Sequence, residues 1–368
     1  MIICDHCFRD TELQAMIRSK SVETGTCPTC HTENAHLLDT VNASDLSQYL
    51  ESLLSIYRPV SQLPDGPYKD TCVSITEELS DRWHLFGNVQ SRDKRRMIRE
   101  ICHDTATGNT GILDERVGIP ELYDRDYVAR HSLFSGHSWK DFVKQVKFVS
   151  RYHPGIINEE LMQKYCSFIR RVIREGSEFY RARLSENKER FDKDSMGAPP
   201  EGKSSDGRAN ARGIYCLYLA NDSETALHEI RASQFDYACI GKFRLTRDIV
   251  VADLRRITEI SPFLSGIDFI EHAINREQLE KLNEEMGKTL RRNDDTLDYV
   301  TTQYLVDLIR SFPSSSEEGQ HEYAGIIYNS TTTRDGYNLA IFEPDLFQCE
   351  SIDMYRIDEL NYKKYKME

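Results

Sequence analysis

The sequence predicts an α+β protein in three parts, and three observations predict it. Two Cys-x2-Cys pairs stand in the first thirty residues, apolar residues follow at helical spacing, and from about residue 156 strand-like runs alternate with helices. At 368 residues the chain exceeds one ordinary compact domain. The expected parts are a ribbon over 1–40, an all-helical domain over 41–155 and a mixed region over 156–368.

The ribbon rests on Cys4, Cys7, Cys27 and Cys30, with nineteen residues between the pairs. Each pair can present two thiolates to one side, and two such knuckles close a tetrahedral shell around zinc. A redox role for the pairs would call for a surrounding βαβ pattern, and none is present. His31, beside the second knuckle, is expected to neighbour the site, because four ligands already fill it. The ligands do not say whether the ribbon grips nucleic acid, protein or its own domain.

In the middle region Leu46, Tyr49, Leu50, Leu53, Leu54 and Tyr57 recur at helical spacing and stop before Pro59. Helix-like pieces continue, broken by PDGP and TATGNTG, as far as WKDFVKQVKFVSRYHP. Arg96 and His103 have the Arg-x6-His spacing of helical HEPN ribonucleases, but such a pair on a charged helix is common by chance, and a solvated face explains it.

The third part opens with NEELMQKYCSFIRRVIREG as a helix closed by Gly176, then SEFYRARL as a short strand. A polar stretch without periodicity, residues 185–207, reads as a lid or binding loop. The apolar run of residues 214–219 suits a buried strand, and Asn221, Asp222 and Ser223 supply helix-cap chemistry before ETALHEIR. Two strand-like runs in CIGKFRLTRDIVVADL, a polar helix over 271–292 and a helix in DYVTTQYLVDLIRSF come next. EYAGIIYNSTTTRDGYNLAIFEP gives two strands around a Thr-rich turn, and an acidic-polar tail closes the chain.

Composition narrows the function classes. With 47 basic and 60 acidic side chains, a formal charge of −13 argues against nucleic-acid binding by the whole surface, though not by the ribbon. No stretch of about 18 uninterrupted apolar residues occurs, so no membrane is expected, and the N-terminus lacks a secretory pattern. The expectation is a cytoplasmic protein whose other cysteines, Cys72, Cys102, Cys166, Cys216, Cys239 and Cys349, stay reduced.

Several polar residues fall where α/β ligand sites gather. Arg181 and Arg183 lie on one side of the long loop and Arg208 on the other, a pattern that can clamp a pyrophosphate. Tyr218 stands near a strand end, where its ring can stack on a flat group or pack in the core. Glu229 lies at the edge of the apolar stripe formed by Ala226, Leu227 and Ile230, so it reaches a cleft or solvent. Ser330 and Asn338 sit at strand ends, suited to orienting a sugar or an amide.

Taken in order, FYRAR at 179–183, MGAPP at 196–200, GRAN, YLA and TALHE across 207–229, TTQYLVDLIR at 301–310, and GIIYNS followed by NLAIF resemble the RES domain. The resemblance covers roughly residues 156–350 and the family is named for an arginine, a glutamate and a serine, matched here by Arg181, Glu229 and Ser330. The N-terminal part also resembles the HEPN-like region that precedes some RES domains. The resemblance implies an ADP-ribosyltransferase-like fold and attack on NAD, by glycohydrolysis, phosphorolysis or transfer of ADP-ribose. It implies catalytic roles for Glu229, Arg181 and Ser330, and NAD contacts for Arg183, Arg208, Tyr218 and Asn338.

The expected function is therefore an NAD-degrading toxin or defence effector with a structural zinc, whose N-terminal modules sense a trigger, mediate assembly or hold the catalytic part quiet. The expected partners are NAD, a regulatory protein or antitoxin, and further copies of the chain. Alternatives are an ADP-ribosyltransferase acting on protein or nucleic acid, an inactive zinc-ribbon binding protein, and, more distantly, a ribonuclease.

Overall fold

The computed structural model describes residues 1–103, 111–288, 296–314 and 319–359. It divides into two compact units, Met1–Gly136 with Glu259–Glu277, and His137–Thr258 with Gln278–Glu368.

In the first unit, β1 (Ile2–Cys4), α1 (Thr11–Lys20), β2 (Glu23–Gly25) and β3 (Ala35–Asp39) build the cysteine region, with β3 central in an antiparallel sheet. Helix α1 starts where Asp10 accepts the N–H groups of Glu12 and Leu13, both at 3.0 Å. Then come α2 (Ser44–Leu54), β4 (Arg58–Pro59), β5 (Val73–Ser74), α3 (Ser91–Ile101), β6 (Arg116–Gly118) and α4 (Arg125–His131). Leu13 and Ile17 of α1, Leu46, Leu50 and Leu53 of α2, and Met97 and Ile98 of α3 share one core. The helical periodicity is thus real, but the region is not all helical: β4, β6 and β5 form a small antiparallel sheet. These strands are two or three residues long, too short to show a period of two in sequence. The TATGNTG break falls almost wholly outside the described residues.

The second unit contains α5 (Trp139–Phe148), α6 (Glu159–Phe168), β7 (Arg170–Ile173), β8 (Glu178–Leu184), β9 (Leu217–Ala220), α7 (Ser223–Glu229), β10 (Tyr237–Leu245) and β11 (Ile249–Asp253). Helix α8 (Phe269–Met286) begins in residues of the first unit, and α9 (Val300–Ser311), β12 (Gly325–Asn329), β13 (Tyr337–Ile341) and β14 (Phe347–Arg356) complete the second. Its sheet has eight strands in the order β14-β10-β8-β9-β13-β12-β11-β7, antiparallel except for β11 with β12. Phe179, Leu217, Leu219, Phe243, Leu339 and Ile341 make the core on one face. On the other, Ala182 and Ala220 pack against Ala226 of α7, where small side chains let the helix approach closely.

Three expectations need correction. The helix predicted up to Gly176 stops at Phe168, and Arg170–Ile173 instead pairs with β11 at the sheet edge, so tertiary pairing overrides a helical pattern. The polar tail contains β14, ten residues that pair with β10 along its length. Its polar residues face solvent at an edge, which hides the strand from an apolar-run search.

The stretch 185–207, expected as a lid or binding loop, is anchored to the sheet, and its last residue, Gly207, lines a cavity. Met196 is wholly buried in the sheet's core, Ser185 N–H donates to Tyr237 O at 2.8 Å, and Arg183 bonds the Ser195 carbonyl. The apolar strand of residues 214–219 begins later than predicted: Ile214 and Tyr215 are exposed, and Asn210 Nδ2 takes the Ile214 carbonyl at 2.9 Å. The polar helix predicted over 271–292 ends earlier, at Met286, with Gly287 and Lys288 outside it; residue 292 lies outside the described residues.

Candidate active site

Strands β8 and β9 pair only at Tyr180 with Ala220. The next residues on both strands, Arg181 and Ala182 on one and Tyr218 and Leu219 on the other, line a cavity of about 570 Å³. This is within the usual size range for ligand sites, roughly 300–1,000 Å³. Helix α7 supplies Glu229, the turn before β9 supplies Gly207 and Arg208, and β12 and β13 supply Tyr328 and Asn338.

Glu229 is the last residue of α7, whose start is fixed by Asp222 accepting Thr225 N–H at 2.7 Å. Three donors converge on its Oε1: Ser330 Oγ at 2.6 Å, Asn338 Nδ2 at 2.8 Å and Thr332 Oγ1 at 3.2 Å. Oε2 has no donor among the described residues. Ser330 is itself held, its N–H donating to Gly336 O at 2.9 Å and its Oγ accepting Thr332 N–H at 3.2 Å. The result is a carboxylate fixed in orientation with one oxygen left for a ligand.

Arg181 presents the opposite condition. Its Nη1 is buried without a hydrogen-bond partner, a costly state for a charged group. Burial, with the Arg183 guanidinium adding repulsion, lowers its pKa to about 10, so it remains charged near neutrality. An anion in the cavity it lines would offset the electrostatic cost of that buried charge.

Arg208 lines the cavity with its guanidinium 5.9 Å from the Tyr328 ring centre, but its donors are engaged. Nη1 bonds Glu285 O at 3.2 Å and also Met286 O, and Nη2 bonds Lys288 O at 2.6 Å. It therefore caps the carbonyls at the end of α8.

Tyr218 lines the cavity with its hydroxyl tied down, donating to Asn210 Oδ1 at 2.6 Å and accepting Ala209 N–H at 3.0 Å. Asn338 is buried and serves the Glu229 carboxylate. Arg183 is not brought to the cavity: its guanidinium lies 4.5 Å from the Phe191 ring centre, in the anchored stretch.

Two contributors escaped the sequence reading. Thr332 sits in the Thr-rich turn, where nothing but the fold distinguishes it from its neighbours. Gln303 of α9 is buried, and its Nε2 reaches Asn210 O at 2.9 Å, Gly207 O at 3.0 Å and Asp206 Oδ1 at 3.3 Å. It fixes the turn that carries Arg208. A polar residue on the buried face of an apolar helix was the available signal.

The first unit holds a second chemical cluster. The ligand atoms of Cys4, Cys7, Cys27 and Cys30 all lie within 4.8 Å of one another, and all four residues are buried and unoxidised. Neighbouring sulfurs stand at 3.4, 3.7 and 3.8 Å. A tetrahedron with Zn–S bonds of about 2.3 Å has edges of about 3.8 Å, so the set is compatible with zinc. Asp5, buried between the first two cysteines, accepts Arg18 Nε at 2.7 Å and His36 N–H at 3.2 Å, which stiffens the knuckle. His31 stands outside this group of four. Arg96 is exposed on α3, as a solvated helix face requires.

The RES domain family model matches residues 178–363, half of the chain, and spans Arg181, Glu229 and Ser330. The chain belongs to the RES domain family. Membership places it in an NAD-related class of enzymes. A DnaJ homolog subfamily C member 24 from Mus musculus is 28% identical over 85 residues, which is 23% of this chain and 55% of that protein. The chain thus spans about half the length of that curated relative. No solved structure matches. Among the described residues no helix is long and apolar enough to cross a membrane.

Proposed function

We propose that the protein degrades NAD by cleaving the nicotinamide–ribose bond, as a growth-arresting toxin or defence effector. The observation that carries this reading is the convergence of Ser330, Thr332 and Asn338 on Oε1 of Glu229, which lines the same cavity as the buried Arg181.

In this reaction the C1′–N bond breaks and its electron pair leaves with nicotinamide, neutralising the pyridinium. Positive charge builds on the ribose, and a nearby carboxylate stabilises it. Glu229 is suited to that role because its carboxylate is oriented beforehand and Oε2 can accept a ribose hydroxyl. Arg181 would hold the pyrophosphate through its guanidinium charge, since the residue lines the cavity. Tyr218 offers an aromatic wall for nicotinamide, and Ser330 acts by holding Glu229. Arg208 would contribute charge, its donors already being engaged by α8. A water or phosphate oxygen then forms the new C1′–O bond, and water loses a proton in doing so.

The test is incubation of the full chain with NAD, with and without phosphate, following nicotinamide, ADP-ribose and label on macromolecules. Nicotinamide release that falls about 10³-fold in Glu229→Gln supports the proposal. Label carried onto a macromolecule would move the reading to ADP-ribosyl transfer. NAD left intact in every buffer and in cell extract would overturn it.

A further inference from the structure

The turn that presents Arg208 has a second side. Asp206, Ala209, Asn210 and Gln303 face a separate cavity of about 300 Å³, which lies wholly within the second unit. Its apolar lining includes Ile214, Val300 and Val306, and two aromatic residues, Tyr152 and Tyr304. Three guanidinium-bearing residues, Arg151, Arg212 and Arg310, complete it.

The charges are arranged for an anion. Arg151 and Arg212 are exposed and have no carboxylate partner among the described residues. Arg310 lies over the Phe342 ring at 5.4 Å from its centre. Two carboxylates also line the cavity, but Asp206 Oδ1 already accepts Arg212 N–H at 3.1 Å and Gln303 Nε2 at 3.3 Å. Three cations against Asp206 and Asp307 leave the lining one positive charge in excess, on a chain whose formal charge is −13. Tyr152 is 80% exposed and Ile214 is 41% exposed, unusual for large apolar side chains beside a cavity.

We propose that this hollow is a second ligand site, for a small phosphate-bearing molecule with a flat aromatic body, of the mononucleotide class. The tyrosine rings supply stacking surface and the arginines supply phosphate donors, while the volume suits a single nucleotide unit. An occupant would touch Asp206, Asn210 and Gln303, the groups that set the turn between the two cavities. The site is independent of the NAD reading, because binding here needs no turnover.

The test is calorimetric titration of the full chain with AMP. To silence the larger cavity, the titration is repeated in Arg181→Ala. The expected result is one saturable site that survives Arg181→Ala and weakens at least tenfold when Arg151→Glu and Arg212→Glu are combined. Adenosine and inorganic phosphate should each bind at least tenfold more weakly than AMP. Ala211→Trp, which fills the hollow from its wall, should abolish binding, with thermal melting showing that the variant is folded. Absence of saturable binding overturns the proposal. So does AMP binding that disappears in Arg181→Ala but persists in the charge-reversed protein, or adenosine binding as tightly as AMP.

Discussion

Ser330 Oγ donates a 2.6 Å hydrogen bond to Glu229 Oε1, joining the end of β12 to the end of α7. The two residues are 101 positions apart in sequence, and the bond makes the serine a positioning group for the carboxylate. Thr332 and Asn338 share that task, so Ser330→Ala is expected to lower NAD turnover by only on the order of tenfold, about 1.4 kcal/mol. Asn338→Asp should do more, because it replaces a donor with a like charge against the same oxygen. Two carboxylates so close cannot both ionise freely, so one must take up a proton. Activity of this variant should therefore recover partly as pH falls, when a shared proton restores the hydrogen bond. A pH–rate profile parallel to that of the unaltered protein would count against this arrangement.

Arg181 and Arg208 should separate cleanly by what their loss does. Removing Arg181 takes away a buried charge without a partner, so Arg181→Ala is expected to leave the melting temperature unchanged or raised while KM for NAD rises about 10- to 100-fold. Removing Arg208 leaves the Glu285, Met286 and Lys288 carbonyls without their donor. Arg208→Ala should therefore destabilise the second unit by about 1–3 kcal/mol. Thermal melting and steady-state kinetics on both variants decide the matter; equal losses of stability would contradict it.

These two arginines also show what a sequence can and cannot tell. Arg181, Glu229 and Ser330 stood out in the sequence because ordered motifs flank them; Glu229 also lies at the end of α7 and Ser330 just past the end of β12, whereas Arg181 is in the middle of β8. Arg183, two residues from Arg181, shares its strand face, and spacing cannot say that the face turns from the cavity toward Phe191. The partner of Arg208 is a helix end some 77–80 residues away, beyond any local pattern. The central strands were legible as apolar runs, whereas β7 and β14 lie at the two sheet edges and carry polar sequences. The four cysteines were the clearest signal, because ligand chemistry fixes both residue type and spacing.

Gly207 gives a test of the turn's packing. A Cβ built there would stand 2.5 Å from Tyr218 Oη and 2.6 Å from Asn210 Oδ1, closer than side-chain atoms tolerate. Gly207→Ala must push apart the hydrogen-bonded pair that holds the turn, at a cost of about 1–3 kcal/mol. Tyr218→Phe removes one of the two clashing oxygens, so the double variant should be more stable than the sum of the single effects. A double-mutant cycle of denaturant melts measures this coupling. Strictly additive losses would show that the turn moves freely of Tyr218.

The cysteine cluster yields the last expectation. Four buried thiols within 4.8 Å, unoxidised and attached to strands of three to five residues, leave this segment dependent on something other than its short sheet. A zinc ion would supply the cross-link, since binding free energy at such a site is also folding free energy. Purified protein should contain about one zinc per chain by metal analysis. Cys27→Ser should lower that content sharply, and a strong chelator should reduce the melting temperature of the unaltered protein. Cys349→Ser, at a buried cysteine outside the cluster, is the control and should keep its metal. Full stability in the chelator, with no zinc detected beforehand, would mean that the four thiols hold together through burial alone.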